Sequence, residues 1–235
     1  MIRAWVFLWL LTGCASTPEP VPEPRPDAPS TLSRASVMDG NLAGLNLSLT
    51  PFSHLGRSVS PVRAELLAAE QRYLPYLLKT TLTESGFWGA VRVTPSIDVT
   101  AELNCQGQLL SASAAELQVQ LICRDALGKL WLDDRFDTRI APDAYLQAGV
   151  DGRDPYRPVM VRIANRLADG LASFTDEDRR RLRDAALLRY AQTLSPEGFD
   201  GYLAVDAEGL MQVQGLPASS DPMVARVQRI RDSEY

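Results

Sequence analysis

Three cysteines, a single histidine, an acidic triplet and an arginine cluster are the residues of this 235-residue chain whose types could do chemistry. Cys14 stands between an apolar run and a proline-rich stretch, whereas Cys105 and Cys123 sit in segments that alternate apolar and polar residues. Nucleophilic catalysis of the Ser-His-Asp or Cys-His kind would have to recruit His54, the sole imidazole. It lies in TPFSHLG, behind the first predicted strand, which reads as a loop position. No G-x-S-x-G, Walker loop, H-E-x-x-H or C-x-x-C occurs, so no catalytic residue, metal site or cofactor is assigned. Asp133, Asp134 and Asp137 carry the oxygens a hard cation prefers, but strand alternation turns Asp134 away from the other two and predicts a solvated face. Arg179, Arg180, Arg181 and Arg183 could hold lipid phosphate or acidic glycan. They follow Asp176, Glu177 and Asp178 on one predicted helix, which favours pairing among themselves. Tyr73, Tyr76, Phe87 and Trp88 bound a helix-to-strand corner, which suits core packing. Trp88, between Gly86 and Gly89, could instead stand exposed, with Phe87 and Tyr76, as an anchor for a protein partner.

The elements that must position these residues begin with a leader. Met1 to Arg3 is a short positive stretch, and Ala4 to Leu11 (AWVFLWLL) is an apolar run of eight, far below the roughly 20 residues a membrane-spanning helix needs. Leu11-Thr12-Gly13-Cys14 resembles the lipobox of bacterial lipoprotein signal peptides: an aliphatic residue, a small one, Gly or Ala, then the cysteine. The resemblance implies that residues 1–13 are removed and that Cys14 becomes the lipidated first residue of the mature protein. It also implies, from Ala15 in place of an aspartate, an outer-membrane lipoprotein on the periplasmic face. One acyl chain binds a bilayer marginally, at about 0.8 kcal/mol per methylene, so the three chains usual in that family imply permanent attachment. Prolines at 18, 20, 22, 24, 26 and 29 (TPEPVPEPRPDAP) then predict a polyproline spacer within a linker of residues 14–36.

The folded part is predicted to open with a strand over Leu45 to Thr50, its leucines on one face. Two helical pieces follow, Arg63 to Glu70 and Leu74 to Glu84, with Pro75 in the first turn of the second and Gly86 past its end. Trp88 to Thr94 reads as a short strand. In VTAELNCQGQL and ELQVQLICR the odd positions are apolar save Gly107, so two half-buried strands flank a turn at Ser111 to Ala115. A turn centred on Ala114 sets Cys105 opposite Cys123, Gly107 opposite Leu121 and Leu109 opposite Val119. Such pairs have Cβ atoms about 4.5 to 5.5 Å apart, within reach of a disulfide. Two buried reduced thiols are the alternative. A third strand, Leu130 to Thr138, completes a meander with Leu132 and Phe136 on one side. The expected class is α+β, with a mixed, mainly antiparallel sheet of four to five strands, a helix on one face and a helical C-terminal extension. The predicted domain occupies residues 37–145 and the extension 146–235.

The order of elements, with LQVQLIC followed by a turn, Gly-Lys and LWLDDR, resembles the small domain of outer-membrane lipoproteins that activate penicillin-binding proteins. The same plan is similar to the amino-terminal domain of the Tol-system propeller protein and to curli-secretion lipoproteins. Beyond it, DPYRPVMVRIANRLADGLAS predicts an amphipathic helix started by Asp154 or Pro158. Thr175 with Asp178 predicts a capped helix over Asp176 to Leu194. Ser195-Pro196-Glu197 and Asp221-Pro222 start shorter ones. The last runs polar into Tyr235, as though the native chain continued, and "RIANRLA" and "MVARVQRIRD" are similar to stretches of proteobacterial envelope lipoproteins of unassigned function. A net charge of −5 lacks the cationic excess a nucleic-acid surface needs, which excludes that partner. The expectation is a non-catalytic binding or assembly factor, held to the membrane by its N-terminal lipid and engaging an envelope protein or the peptidoglycan machinery. An accessory or oligomeric subunit of an envelope transport or secretion complex is the second expectation. An envelope hydrolase, the third, would need His54 beside an acid or serine.

Overall fold

The computed structural model describes residues 30–36, 44–54, 61–151, 154–218 and 220–233. Residues 1–29, on which the predicted leader, Cys14 and the proline run fall, lie outside the described residues. The chain enters β1 (Leu47–Leu49) and the two-residue β2 (Ser53–His54), crosses through α1 (Pro61–Ser85), and returns as β3 (Val91–Val93). A meander of β4 (Leu103–Ala112), β5 (Glu116–Asp125) and β6 (Leu130–Arg139) follows. β1 lies between β3 and β4 and parallel to both, while β2 continues the parallel pairing further along β4. β5 and β6 add antiparallel, giving a mixed six-stranded sheet.

The hairpin register is the one the alternation predicts. Cys105 faces Cys123, Gly107 faces Leu121 and Leu109 faces Val119. Cys105 and Cys123 are joined by a disulfide with their Cα atoms 4.1 Å apart, the closer of the two spacings an antiparallel ladder offers. The turn differs in detail. A bulge between Leu109 and Ser111 shifts the pairing by one, so the tip is the two-residue loop Ala114-Ala115 instead of a turn centred on Ala114. Gly107 breaks the apolar alternation because a Cβ there would lie 2.2 Å from the ring of Phe52, which fills that place instead.

Two helices, where one was expected, cover the odd-numbered face. α2 (Ala144–Asp151) is followed by α3 (Arg157–Ala172), and Val159, Ile163 and Leu167 of α3 share one core with Leu74, Leu78 and Leu82 of α1 and with Leu109, Val119 and Leu121 of the sheet. The core therefore runs across the 145/146 boundary drawn from the sequence. Each leucine taken fully out of water contributes about 2 kcal/mol, and periodicity alone specified most of them. α2 had no prediction. Of the two predicted starts, Pro158 stands in the first turn of α3, whereas Asp154 lies ahead of it; the Asp154 carboxylate accepts the Tyr156 N–H at 2.7 Å, and Tyr156 is the N-cap.

α1 is one helix of 25 residues with Pro75 inside it, not two pieces. A proline there removes the N–H that would bond the carbonyl four residues back. That carbonyl, Gln71, is instead taken by the backbone N–H of Phe52 at 2.9 Å. The break predicted at Pro75 is thus repaired by the loop beneath it. Gly86 ends the helix in the left-handed conformation, φ +74°.

The linker predicted as residues 14–36 does not stay clear of the fold. Asn165 of α3 accepts the Ser33 N–H at 2.8 Å and donates to the Thr31 carbonyl at 2.9 Å. Leu32 packs on the core, and Ala35 donates to the Ser85 carbonyl at the end of α1.

The remainder is not wholly helical. α4 (Asp176–Leu194) carries the predicted capping box, with Thr175 and Asp178 bonded reciprocally. A 3-10 turn at Glu197–Phe199, the hairpin β7 (Leu203–Val205) and β8 (Met211–Val213), and α5 (Pro222–Asp232) follow. Leu188, Ala191, Phe199 and Val227 form their small second core. α5 begins at Asp221-Pro222 as expected, with Asp221 capping the Met223 N–H. It is not simply a polar helix, since Arg231 is buried and ion-paired with Glu102 at the root of β4.

Candidate functional site

The sequence-predicted aromatic anchor is not a surface. Trp88 is buried, with its ring centroid 6.4 Å from that of Trp131, which in turn stacks 4.4 Å from Phe174. The glycines have another cause: a Cβ on Gly44 would lie 2.5 Å from Gly89 N, so Gly44 and Gly89 serve a close approach of two backbones. Phe87 packs on the core, partly buried. Tyr76 alone of the three is exposed, with the Lys79 ammonium 5.9 Å above its ring. The structure therefore does not bring Tyr76, Phe87 and Trp88 together as one face.

His54 is not in a loop but in β2, paired with Leu109, and its Nδ1 lies 3.0 Å from the Leu109 carbonyl. Asp133 accepts from Gln120 at 2.7 Å, while Asp134 turns to the helical face and pairs with Arg166 at 3.1 Å. Among the described residues no group of three or more His, Cys, Asp or Glu could hold a metal ion. The arginine cluster is dispersed by its own neighbours: Arg179 reaches the Leu171 carbonyl, Arg180 pairs with Glu177, and Arg181 contacts Gln212.

A site that sequence reading missed lies at the tip of the β4–β5 hairpin. α1 supplies Leu66, Leu67 and Glu70, the hairpin supplies Ala112 to Ala114, and α2 and its sequel supply Tyr145 and Tyr156; together they enclose a cavity of about 490 Å³. Its rim is apolar and wet at once: Leu66 is 59% exposed and Tyr145 43%, and Leu146 beside it is 76% exposed. Tyr156 bonds Tyr145, and Tyr73 donates to Asp154. Burial, reinforced by these bonds and by nearby carboxylates, raises the Tyr156 hydroxyl pKa; burial and Asp154 push that of Tyr73 up to about 12. Both tyrosines therefore stay neutral, and the local charge comes from Glu70 and Asp154. A signal for this site was present, since Leu66 and Tyr73 lie seven residues apart on one stripe of α1.

No protein-family model matches the chain, and no curated protein is similar to it. Solved structures match it over part of its length. The PelC dodecamer from Paraburkholderia phytofirmans matches at 10% identity and a TM-score of 0.38, covering 61% of this chain and 96% of that one. A hypothetical protein from Chlamydia trachomatis matches at 12% identity and 0.28, over 60% and 97%. A neuraminyllactose-binding hemagglutinin homolog from Helicobacter pylori matches at 12% identity and 0.31, over 60% and 90%.

Proposed function

We propose that this protein is a non-catalytic binding or assembly factor, tethered by lipid on Cys14 to the periplasmic face of the outer membrane, whose folded part holds a segment of another envelope protein. The observation that supports it is the tyrosine-lined groove, where Leu66, Tyr145 and Leu146 leave apolar area in water beside carboxylates. Exposed apolar area rimmed by polar groups is a mark of recognition surfaces, and aromatic side chains are the commonest anchors within them. Charge selects the occupant. With Glu70 and Asp154 acting on the tyrosines, the groove suits a partner segment that sets one basic side chain between aliphatic ones, the cation lying over a tyrosine ring. The Cys105–Cys123 disulfide fits an oxidising compartment.

The test has two arms. Metabolic labelling with palmitate is expected to mark the full-length product and to be lost in Cys14→Ser. A photo-crosslinker at Leu146 in cells is expected to capture one envelope protein through a basic segment, and Glu70→Arg to abolish the capture. An unlabelled product would overturn the anchor. Capture that is indifferent to Glu70→Arg would overturn the groove.

A further inference from the structure

On the opposite face of the sheet, at the root of the same hairpin, a second concavity of about 140 Å³ is lined by Ile97, Ile122, Arg124, Asp125, Arg189 and Met211. We propose that it binds a single carboxylate carried on a small apolar group, held between the Arg124 and Arg189 guanidiniums.

Both guanidiniums are anchored to one tight turn. Arg124 donates through Nη1 to the Gly128 carbonyl at 3.2 Å, and Arg189 donates through Nη1 to the Ala126 carbonyl at 3.4 Å. The two therefore converge from different elements, β5 and α4, onto carbonyls two residues apart at the cleft they both line. The turn is itself rigid. Asp125 accepts the N–H groups of Leu127 and Lys129 and the indole of Trp131, and Gly128 holds φ +85°. Met211 of β8 is tied to it through its N–H on the Leu127 carbonyl.

The acids nearby are already engaged. Asp125 spends its oxygens on those three donors, and Asp98 is paired with Arg92 at 2.7 Å. Arg189, half-buried, donates to the Ala126 carbonyl and also feels the charges of the Asp125 and Asp98 carboxylates. Two guanidiniums against the one carboxylate in the lining leave a surplus of one positive charge, which a monoanion neutralises. A planar fork matches a carboxylate better than a point charge does. Ile97, Ile122 and Met211 provide the apolar wall for what the carboxylate is attached to, and the small volume limits that to a few carbons.

The chemistry is shared by a free short-chain acid and by the terminal residue of a peptide chain, and the probes separate them. Detergent-solubilised full-length protein is titrated by NMR or calorimetry with N-acetylalanine, N-acetylalanine amide, a tripeptide ending in alanine, and inorganic phosphate. Saturable binding of the acid but not the amide is expected, weakened about tenfold or more by Arg189→Gln and by Arg124→Gln, in keeping with loss of one charged hydrogen bond. Arg124 is exposed, so Arg124→Gln should keep the wild-type melting temperature even if Arg189→Gln does not. Tighter binding of the tripeptide would identify a chain terminus, and tighter binding of the acid a free metabolite. The assignment is overturned if acid and amide bind alike, if phosphate binds more tightly than either carboxylate, or if Arg124→Gln leaves binding unchanged.

Discussion

The two ends of the β4–β5 hairpin are built on opposite principles. At its root, the acids are buried and held: Glu102 pairs with Arg231 and accepts the Asn46 N–H at 2.7 Å, and Asp125 holds three donors. At its tip, two alanines turn the chain, and the neighbouring side chains are exposed leucine and tyrosine. The disulfide lies two residues from the root pair Leu103–Asp125, so the covalent link reinforces the end that is already tied. Buried ionic bonds specify one arrangement at a high cost if broken, whereas apolar area left in water costs little stability and is free to meet a partner. Along a single pair of strands, the end that holds the shape is kept apart from the end that leaves apolar side chains in water.

The contrast is broken or sharpened by substitution. Arg231→Ala should have the largest effect, about 3 to 5 kcal/mol in urea unfolding, because it leaves the Glu102 carboxylate buried without its cation. Burial already raises the Glu102 pKa, while Arg231 pulls it back. In the variant it rises further, so the folded form binds the proton more readily than the unfolded one. The deficit should then be full above the raised pKa and shrink as pH falls through it. Replacing Cys105 and Cys123 together by serine should cost about 3 kcal/mol, read from the same unfolding curves. Asp125→Ala should cost roughly 2 kcal/mol by freeing the turn's donors, with earlier amide exchange at Leu127 and Lys129. Tyr145→Ser should cost about 1 kcal/mol through its bond to Tyr156 and Leu66→Ser less than about 0.5 kcal/mol, while both reduce the capture of a partner at Leu146. A tip variant as damaging as Arg231→Ala would erase the distinction.

Much of the sheet was legible in the sequence because period-two alternation leaves little freedom in register: Cys105 opposite Cys123 follows once Leu109 and Val119 must face the same core. Capping was legible for the same local reason at Thr175 and Asp221. What escaped depended on distant chain. Pro75 reads as a break unless one knows that Phe52 will satisfy Gln71, and the choice between core and surface for Trp88 stays open until Gly44 is known to lie against Gly89. The β7–β8 hairpin did leave a trace. Asp206 accepts the N–H groups of Glu208 and Leu210, and Gly209 sits at φ +81°, an acid-to-glycine turn between very short strands. Neither concavity could be assembled in advance, the Leu66–Tyr73 stripe of α1 marking one wall at most, since each gathers residues from three or more elements separated along the chain.

Asn165 gives the molecule a mechanical property. A pull applied ahead of Ser30 reaches the fold as tension on the Thr31 and Ser33 backbone, and it meets the Asn165 amide and the Ala35–Ser85 bond before any strand of the sheet. Those bonds act as a strain relief, like the clip that grips a cable before its plug, so a load carried along the chain from that side falls on α1 and α3 before it reaches the β-sheet.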